Sequence, residues 1–181
     1  RVLQMLCISV NEFLLWKKKQ LSKGGDKQSF AYLIECIGGI SKDHLNLLSL
    51  NPESKIYLKK NLDHLETIWH EHLSNFSPIQ YLCKITFWRD LKLNVSEKVL
   101  IPRPETELIV DIVFKIFGNK SRKFFFAELG TGSGAISIAL ALAYRSSELV
   151  ATDIDQDALE IATKNFINSS KQSNLKFYCG N

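Results

Sequence analysis

The sequence predicts an α/β protein in three stretches: a helical region over residues 1–75, a β-hairpin linker over 76–101, and the first half of a parallel sheet over 102–181. Three observations predict it. Up to about Leu73 the apolar residues recur with a helical period. From Ser77 the pattern shortens to alternation, and KITFW and LKLNV flank the dipeptide Arg89-Asp90. Beyond Lys123, apolar runs that do not alternate are separated by helical segments, which is the βαβαβ pattern of a doubly wound sheet buried on both faces.

Taken in order, Phe13, Leu14 and Trp16 to Leu21 offer one apolar helix face. SFAYLIECI has Ser29 as a candidate N-cap and Gly38-Gly39 as its stop. Ser41 caps SKDHLNLLSL, which runs to Asn51-Pro52, and a longer helix is expected from Glu53 to about Leu73. After the hairpin, Pro104 suits the first position of a helix, where a missing N–H costs nothing. Glu105 and Glu107 fall in its first turn, favourable to the helix dipole. Leu108, Ile109, Ile112, Val113 and Ile116 share a face, and Gly118 closes it. KFFFAEL, ELVATD and LKFYC then read as strands, with AISIALALAY and QDALEIATKNFI as the helices between them.

The 181 residues allow one domain or two small ones, enough to bury a real core. With 45% hydrophobic and 23% charged residues, the composition is that of a soluble globular protein. A formal charge of +4 permits a nucleic-acid-rich partner without demanding one. Cys7, Cys36, Cys83 and Cys179 are scattered without a CxxC pair and read as reduced, buried thiols. The apolar opening is interrupted by Asn11 and Glu12 and is too short for a membrane span, so a cytoplasmic location without membrane contact is expected. The chain begins at Arg1 and ends in FYCGN, inside what reads as an unfinished sheet, so a fragment of a longer protein is expected.

The chemistry concentrates in Glu128-Leu-Gly-Thr-Gly-Ser-Gly134, between a strand and a helix. Gly130, Gly132 and Gly134 let the backbone turn sharply and let a ligand approach, with Thr131 and Ser133 between them. A tight turn with close helix packing would use the same residues. Glu128, however, stands where dinucleotide-binding folds usually keep an apolar residue. A carboxylate there suits the ammonium and sulfonium of S-adenosylmethionine and suits a pyrophosphate poorly. Asp153 ends the next strand, where an acid can accept from both ribose hydroxyls. Asp155 and Asp157 read as caps of the following helix. Together these residues favour S-adenosylmethionine over NAD.

The run IPRPETELIVD, Ile101 to Asp111, ahead of ELGTGSG resembles the HemK/PrmC family, the peptide chain release factor N5-glutamine methyltransferases. SPIQYL, ATDIDQDAL and the helical N-terminal region extend the resemblance over nearly the whole chain. It implies a Rossmann-like class I S-adenosylmethionine-dependent methyltransferase sheet, and methylation of the glutamine amide in the Gly-Gly-Gln motif of a class I release factor. It implies that Gly130 to Gly134 wrap the methionine part of the cofactor and that Asp153 takes its ribose. The helical region would contact the release factor, and Arg103, Pro104, Glu105 and Thr106 would form a wall of the cofactor cleft, between the helical domain and the sheet. Lys84 departs from the family, which often has glycine there, and bears on the local hairpin geometry. The family's Asn-Pro-Pro-Tyr motif, which holds the target amide, is not in this sequence, so no residue is assigned as catalytic and these residues alone are expected to be inactive.

Other features carry less. His70 and His72 in Trp69-His70-Glu71-His72 point to different helix faces, so no metal site is expected. Lys17-Lys18-Lys19 reads as a solvated face and Phe124 to Phe126 as core strand. Two alternatives stand beside the main reading: an adenine-N6 methyltransferase of nucleic acid, and a non-catalytic module that binds cofactor or release factor. The modest charge, with no long basic groove, argues against a direct nucleic-acid substrate.

Overall fold

A computed structural model describes residues 5–118, 122–169 and 174–180. Residues 1–4 of the expected helical region, and Asn181, lie outside the described residues. The chain divides into two compact units, Arg1–Cys83 and Lys84–Asn181.

The first unit is helical but not wholly so. Strand β1 (Leu6–Ser9) pairs antiparallel with β2 (Lys55–Leu58), with Ile8 opposite Ile56. Helix α1 (Val10–Ser22) starts on the Ser9 hydroxyl, which accepts from the Glu12 N–H. Helix α2 (Lys27–Leu33) is capped by Asp26 rather than Ser29, a correction with a clear cause. One oxygen of the Asp26 carboxylate accepts from the N–H groups of Gln28 and Ser29, and the other accepts from the Ser29 hydroxyl, so the charged cap recruits the neutral one. The helix runs on into a π-type turn, Ile34–Gly38, and stops as expected at Gly39, in the left-handed conformation. Helix α3 (Lys42–Leu47) has the expected Ser41 cap.

The helix expected from Glu53 is also corrected. Lys55–Leu58 is strand β2, since it buries Ile56 and Leu58 while leaving Lys55 and Tyr57 outside. Helix α4 (Leu62–Asn75) begins only where the Asn61 side chain accepts from the His64 N–H. A short α5 (Ile79–Cys83) closes the unit. Its core joins Phe13, Phe30, Leu33, Leu65 and Trp69, with Phe30 set edge-on to Trp69.

The second unit opens with β3 (Ile85–Trp88) and β4 (Leu91–Asn94), an antiparallel hairpin turning at Arg89-Asp90 as expected. Lys84, just before it, takes the left-handed φ of 58° that glycine adopts without strain. Trp88, Leu91 and Leu93 of the hairpin are buried in this unit's core. A 3₁₀ turn with Pro104 at its start leads into α6 (Glu107–Phe117), which ends at Gly118. The apolar face expected on α6 is largely open, since Leu108, Ile109, Ile112 and Ile116 are all exposed and Val110 is the buried residue.

The parallel sheet follows: β5 (Phe125–Leu129), α7 (Ala135–Ala143), β6 (Glu148–Asp153), α8 (Gln156–Ser169) and β7 (Leu175–Cys179), in strand order β5-β6-β7. Register places Phe126, Leu149 and Leu175 side by side on the face that packs with α7 and α8. The opposite face holds Phe125, Leu129, Val150 and Tyr178 and is exposed among the described residues, contrary to the expected burial on both faces. No helix among the described residues is long and apolar enough to cross a membrane.

Candidate functional site

Strands β5 and β6 end side by side, and the turn after β5 is anchored on the end of β6. The N–H groups of Gly130 and Thr131 both donate to the Thr152 carbonyl at 2.9 Å. The Gly134 N–H closes the turn on the Thr131 carbonyl, and the Gly132 N–H donates to Asp153 Oδ2 at 2.8 Å. Asp153 Oδ1 accepts from the Asp155 N–H, so both carboxylate oxygens hold backbone.

The three glycines all have positive φ, which disfavours any L side chain, but their surroundings differ. A Cβ on Gly130 or Gly132 would meet nothing within 4 Å, whereas one on Gly134 would lie 3.1 Å from Ala162 and from Ile138. The first two therefore border open space, and the third lets α7 and α8 pack closely.

Glu128 is turned back into the loop. Its Oε2 accepts from the Thr131 hydroxyl at 2.7 Å and from the Ser137 N–H, in the first turn of α7, at 3.1 Å. Burial raises its proton affinity above the ordinary carboxylate range, the bonds from Thr131 and Ser137 oppose that, and the Asp153 charge adds to it, leaving a net rise. A positive ligand beside it would favour the ionised form.

A hollow of about 150 Å³ opens above the loop. Arg103 and Thr106, at the 3₁₀ turn, line it together with Glu128, Gly130 and Gly132. Thr131 and Ser133 line it too, although both residues are buried. Pro104 and Glu105 are not among its lining; they are exposed on the 3₁₀ turn, and Leu100 and Pro102 take their place. Asp153 does not line the hollow either and reaches the loop through Gly132. Gly134 lies behind the loop, among the helices. Among the described residues no cluster of His, Cys, Asp and Glu could hold a metal ion.

Sequence reasoning missed Asn165. Fully buried on α8, its side-chain amide bonds to Asn94 and to the Ser133 carbonyl of the loop. No local pattern marks it, because Asn94 is 71 residues away.

Known proteins resemble this arrangement in sequence. The family profile of ribosomal protein L11 methyltransferase (PrmA) matches residues 106–179. A release factor glutamine methyltransferase of Prochlorococcus marinus is 38% identical over 173 residues, covering 95% of this chain and 59% of that protein. One from Synechocystis sp. is 31% identical, covering 96% and 60%, and one from Bacillus anthracis is 35% identical, covering 86% and 54%. The chain thus spans between about half and three-fifths of the length of these curated relatives. Among solved structures, the N-terminal domain of human METTL16 aligns over 84% of this chain and 54% of that one, at 20% identity and a TM-score of 0.45, too loose a likeness to carry an argument. Along nearly its whole length this chain is thus similar in sequence to proteins named release factor glutamine methyltransferase.

Proposed function

We propose that the protein containing this chain binds S-adenosylmethionine at the β5–α7 turn and methylates the side-chain amide nitrogen of the glutamine in the Gly-Gly-Gln motif of a class I release factor. The observation that carries the cofactor half is Glu128: a carboxylate with raised proton affinity, held beside glycines whose missing side chains leave open space. Such a place suits a cation and repels a pyrophosphate. The names of the relatives support the substrate half.

When bound, S-adenosylmethionine supplies an electrophilic methyl group on a sulfonium. The residues of this chain bind and orient. Glu128 answers the positive charge, the open backbone at Gly130 and Gly132 lets the ligand approach closely, and Asp153 stands at the strand end suited to ribose hydroxyls. Arg103 and Thr106 line the same hollow. None is assigned a proton-transfer role, because aiming an amide nitrogen in line with the S–CH3 bond is a matter of positioning. Residues 1–75 would meet the release factor, in the cytoplasm and during translation termination.

The test has two arms. Calorimetry on the full-length protein should find S-adenosylhomocysteine binding and NADH not binding; tighter binding of NADH would overturn the cofactor half. Mass spectrometry of a release factor incubated with labelled cofactor should place the label on that glutamine. Label on adenine in added nucleic acid, with none on the glutamine, would establish the nucleic-acid alternative instead.

A further inference from the structure

Two parts of the lining of the hollow, the 3₁₀ turn and the glycine turn, are each tied to the β3–β4 hairpin. On the side of Arg103, the Trp88 indole N–H donates to the Arg103 carbonyl at 2.9 Å. Next to it, Arg89 donates from its backbone to the Glu107 carboxylate, and from its guanidinium to the Glu107 carbonyl and to Asp111, at 2.8 to 3.2 Å. On the side of the glycine turn, Asn165 is the link. Its Oδ1 accepts from the backbone N–H of Asn94 at 2.6 Å and from the Asn94 side-chain amide at 2.7 Å. Its Nδ2 donates to the Asn94 carbonyl at 3.0 Å and to the Ser133 carbonyl at 2.9 Å. Two acceptor directions and two donors are thus all used, in a side chain with no exposed surface. Turning the amide over would set two donors against donors and an oxygen against two carbonyls, so the orientation is unambiguous.

We infer that the hairpin is a brace for the cofactor cleft and that Asn165 is a positioning residue, holding the Gly130–Gly134 turn at the spacing from Arg103 and Thr106 that the ligand needs. This rests on the reading of that turn as the cofactor site. The physical argument is one of satisfaction. The turn follows a β-strand and contains three glycines, the residue with the most conformational freedom to lose. Bonds to Thr152 and Asp153 fix its first half, and the Asn165 bond fixes the Ser133 carbonyl in its second half. Without that bond a buried carbonyl loses its side-chain partner, and the turn can drift relative to Arg103 and Thr106.

Asn165→Asp in the full-length protein separates the two ends of the link. A carboxylate still accepts both Asn94 donors but sets an oxygen against the Ser133 and Asn94 carbonyls. In the ligand-free protein the Gly132, Ser133 and Gly134 amides should exchange hydrogen about tenfold faster, with the β6 amides unchanged, as expected when the turn loses its one bond to Asn165. The dissociation constant for S-adenosylhomocysteine and the KM for S-adenosylmethionine should each rise about tenfold, with kcat changing far less. Should that variant fail to fold, Asn94→Ala removes one of the two donors to Oδ1 and leaves Asn165 in place; the same amides should then speed up about two- to threefold. Turn amides exchanging at the wild-type rate in both variants, or every amide accelerating alike, would overturn the brace. Failure of the wild-type protein to bind S-adenosylhomocysteine would overturn the cofactor reading instead, and the exchange rates would still decide whether Asn165 holds the turn.

Discussion

The ends of β5 and β6 lie side by side in one sheet, and each carries a carboxylate, yet the two are held in opposite ways. Glu128 is turned inward onto a hydroxyl and the first turn of α7, and burial raises its proton affinity. Asp153 is partly exposed and, among the described residues, accepts from two backbone N–H groups, one in the glycine turn and one just ahead of the next helix. Glu128 takes one hydroxyl and one backbone N–H against the cost of burying its charge, whereas Asp153 takes two backbone N–H groups at a more open position. Equivalent strand ends do not imply equivalent roles.

Removing Asp153 should do most. Asp153→Ala strips the Gly132 N–H of its acceptor, so cofactor affinity should fall by roughly 1–3 kcal/mol and the melting temperature of the free protein should drop with it. Unchanged affinity would remove Asp153 from the site. Glu128→Gln should separate the two quantities, because an amide oxygen can still accept from Thr131 and Ser137 while the charge is gone. Affinity for S-adenosylhomocysteine should fall about tenfold, near the low end for a charge-assisted contact. The free protein should melt at the same temperature or higher, since a desolvated charge has been removed. A lower melting temperature would mean that the charge itself strengthens the bonds Glu128 makes to Thr131 and Ser137.

A smaller effect follows from proton linkage. Glu128 binds its proton more tightly in the folded protein than the ordinary value of 4.5. Its contribution to stability is therefore fully present below that value and is lost as pH rises through the higher folded-state pKa. Cofactor binding should run the other way, strengthening with pH across the same window as the carboxylate ionises. Glu128→Gln should flatten both profiles, and a wild-type binding curve that is level through that window would remove the linkage.

Much of this was legible in the sequence, and the reasons differ by element. The hairpin turn, the start at Pro104 and the glycine turn announce themselves through residues whose backbone preferences are strong and local. Strand β2 did not, because Lys55–Leu58 is four residues long and its partner β1 lies far away in the chain. The exposed sheet face was invisible for a related reason: FFFAEL states that the strand is apolar, not what covers it. The PRPE turn was located, but which of its side chains face the hollow depends on the pitch of a 3₁₀ turn, and Pro104 and Glu105 fell outside. Asn165 reads as one more polar residue of an amphipathic helix until Asn94 is set beside it.

Lys84 suggests a practical tool. A β-carbon-bearing residue held at a φ of 58° gives up roughly 1 kcal/mol that glycine would not. Lys84→Gly should return part of that, offset by the greater freedom of glycine in the unfolded chain, and thermal unfolding would read the gain as a rise of a few degrees at most. Because the exchange alters none of the groups that line the hollow, it supplies a second-site suppressor background. Variants at Asp153 or Asn165 that are too unstable to purify alone could be rescued by it and their binding measured, so that loss of folding and loss of recognition are scored as separate phenotypes.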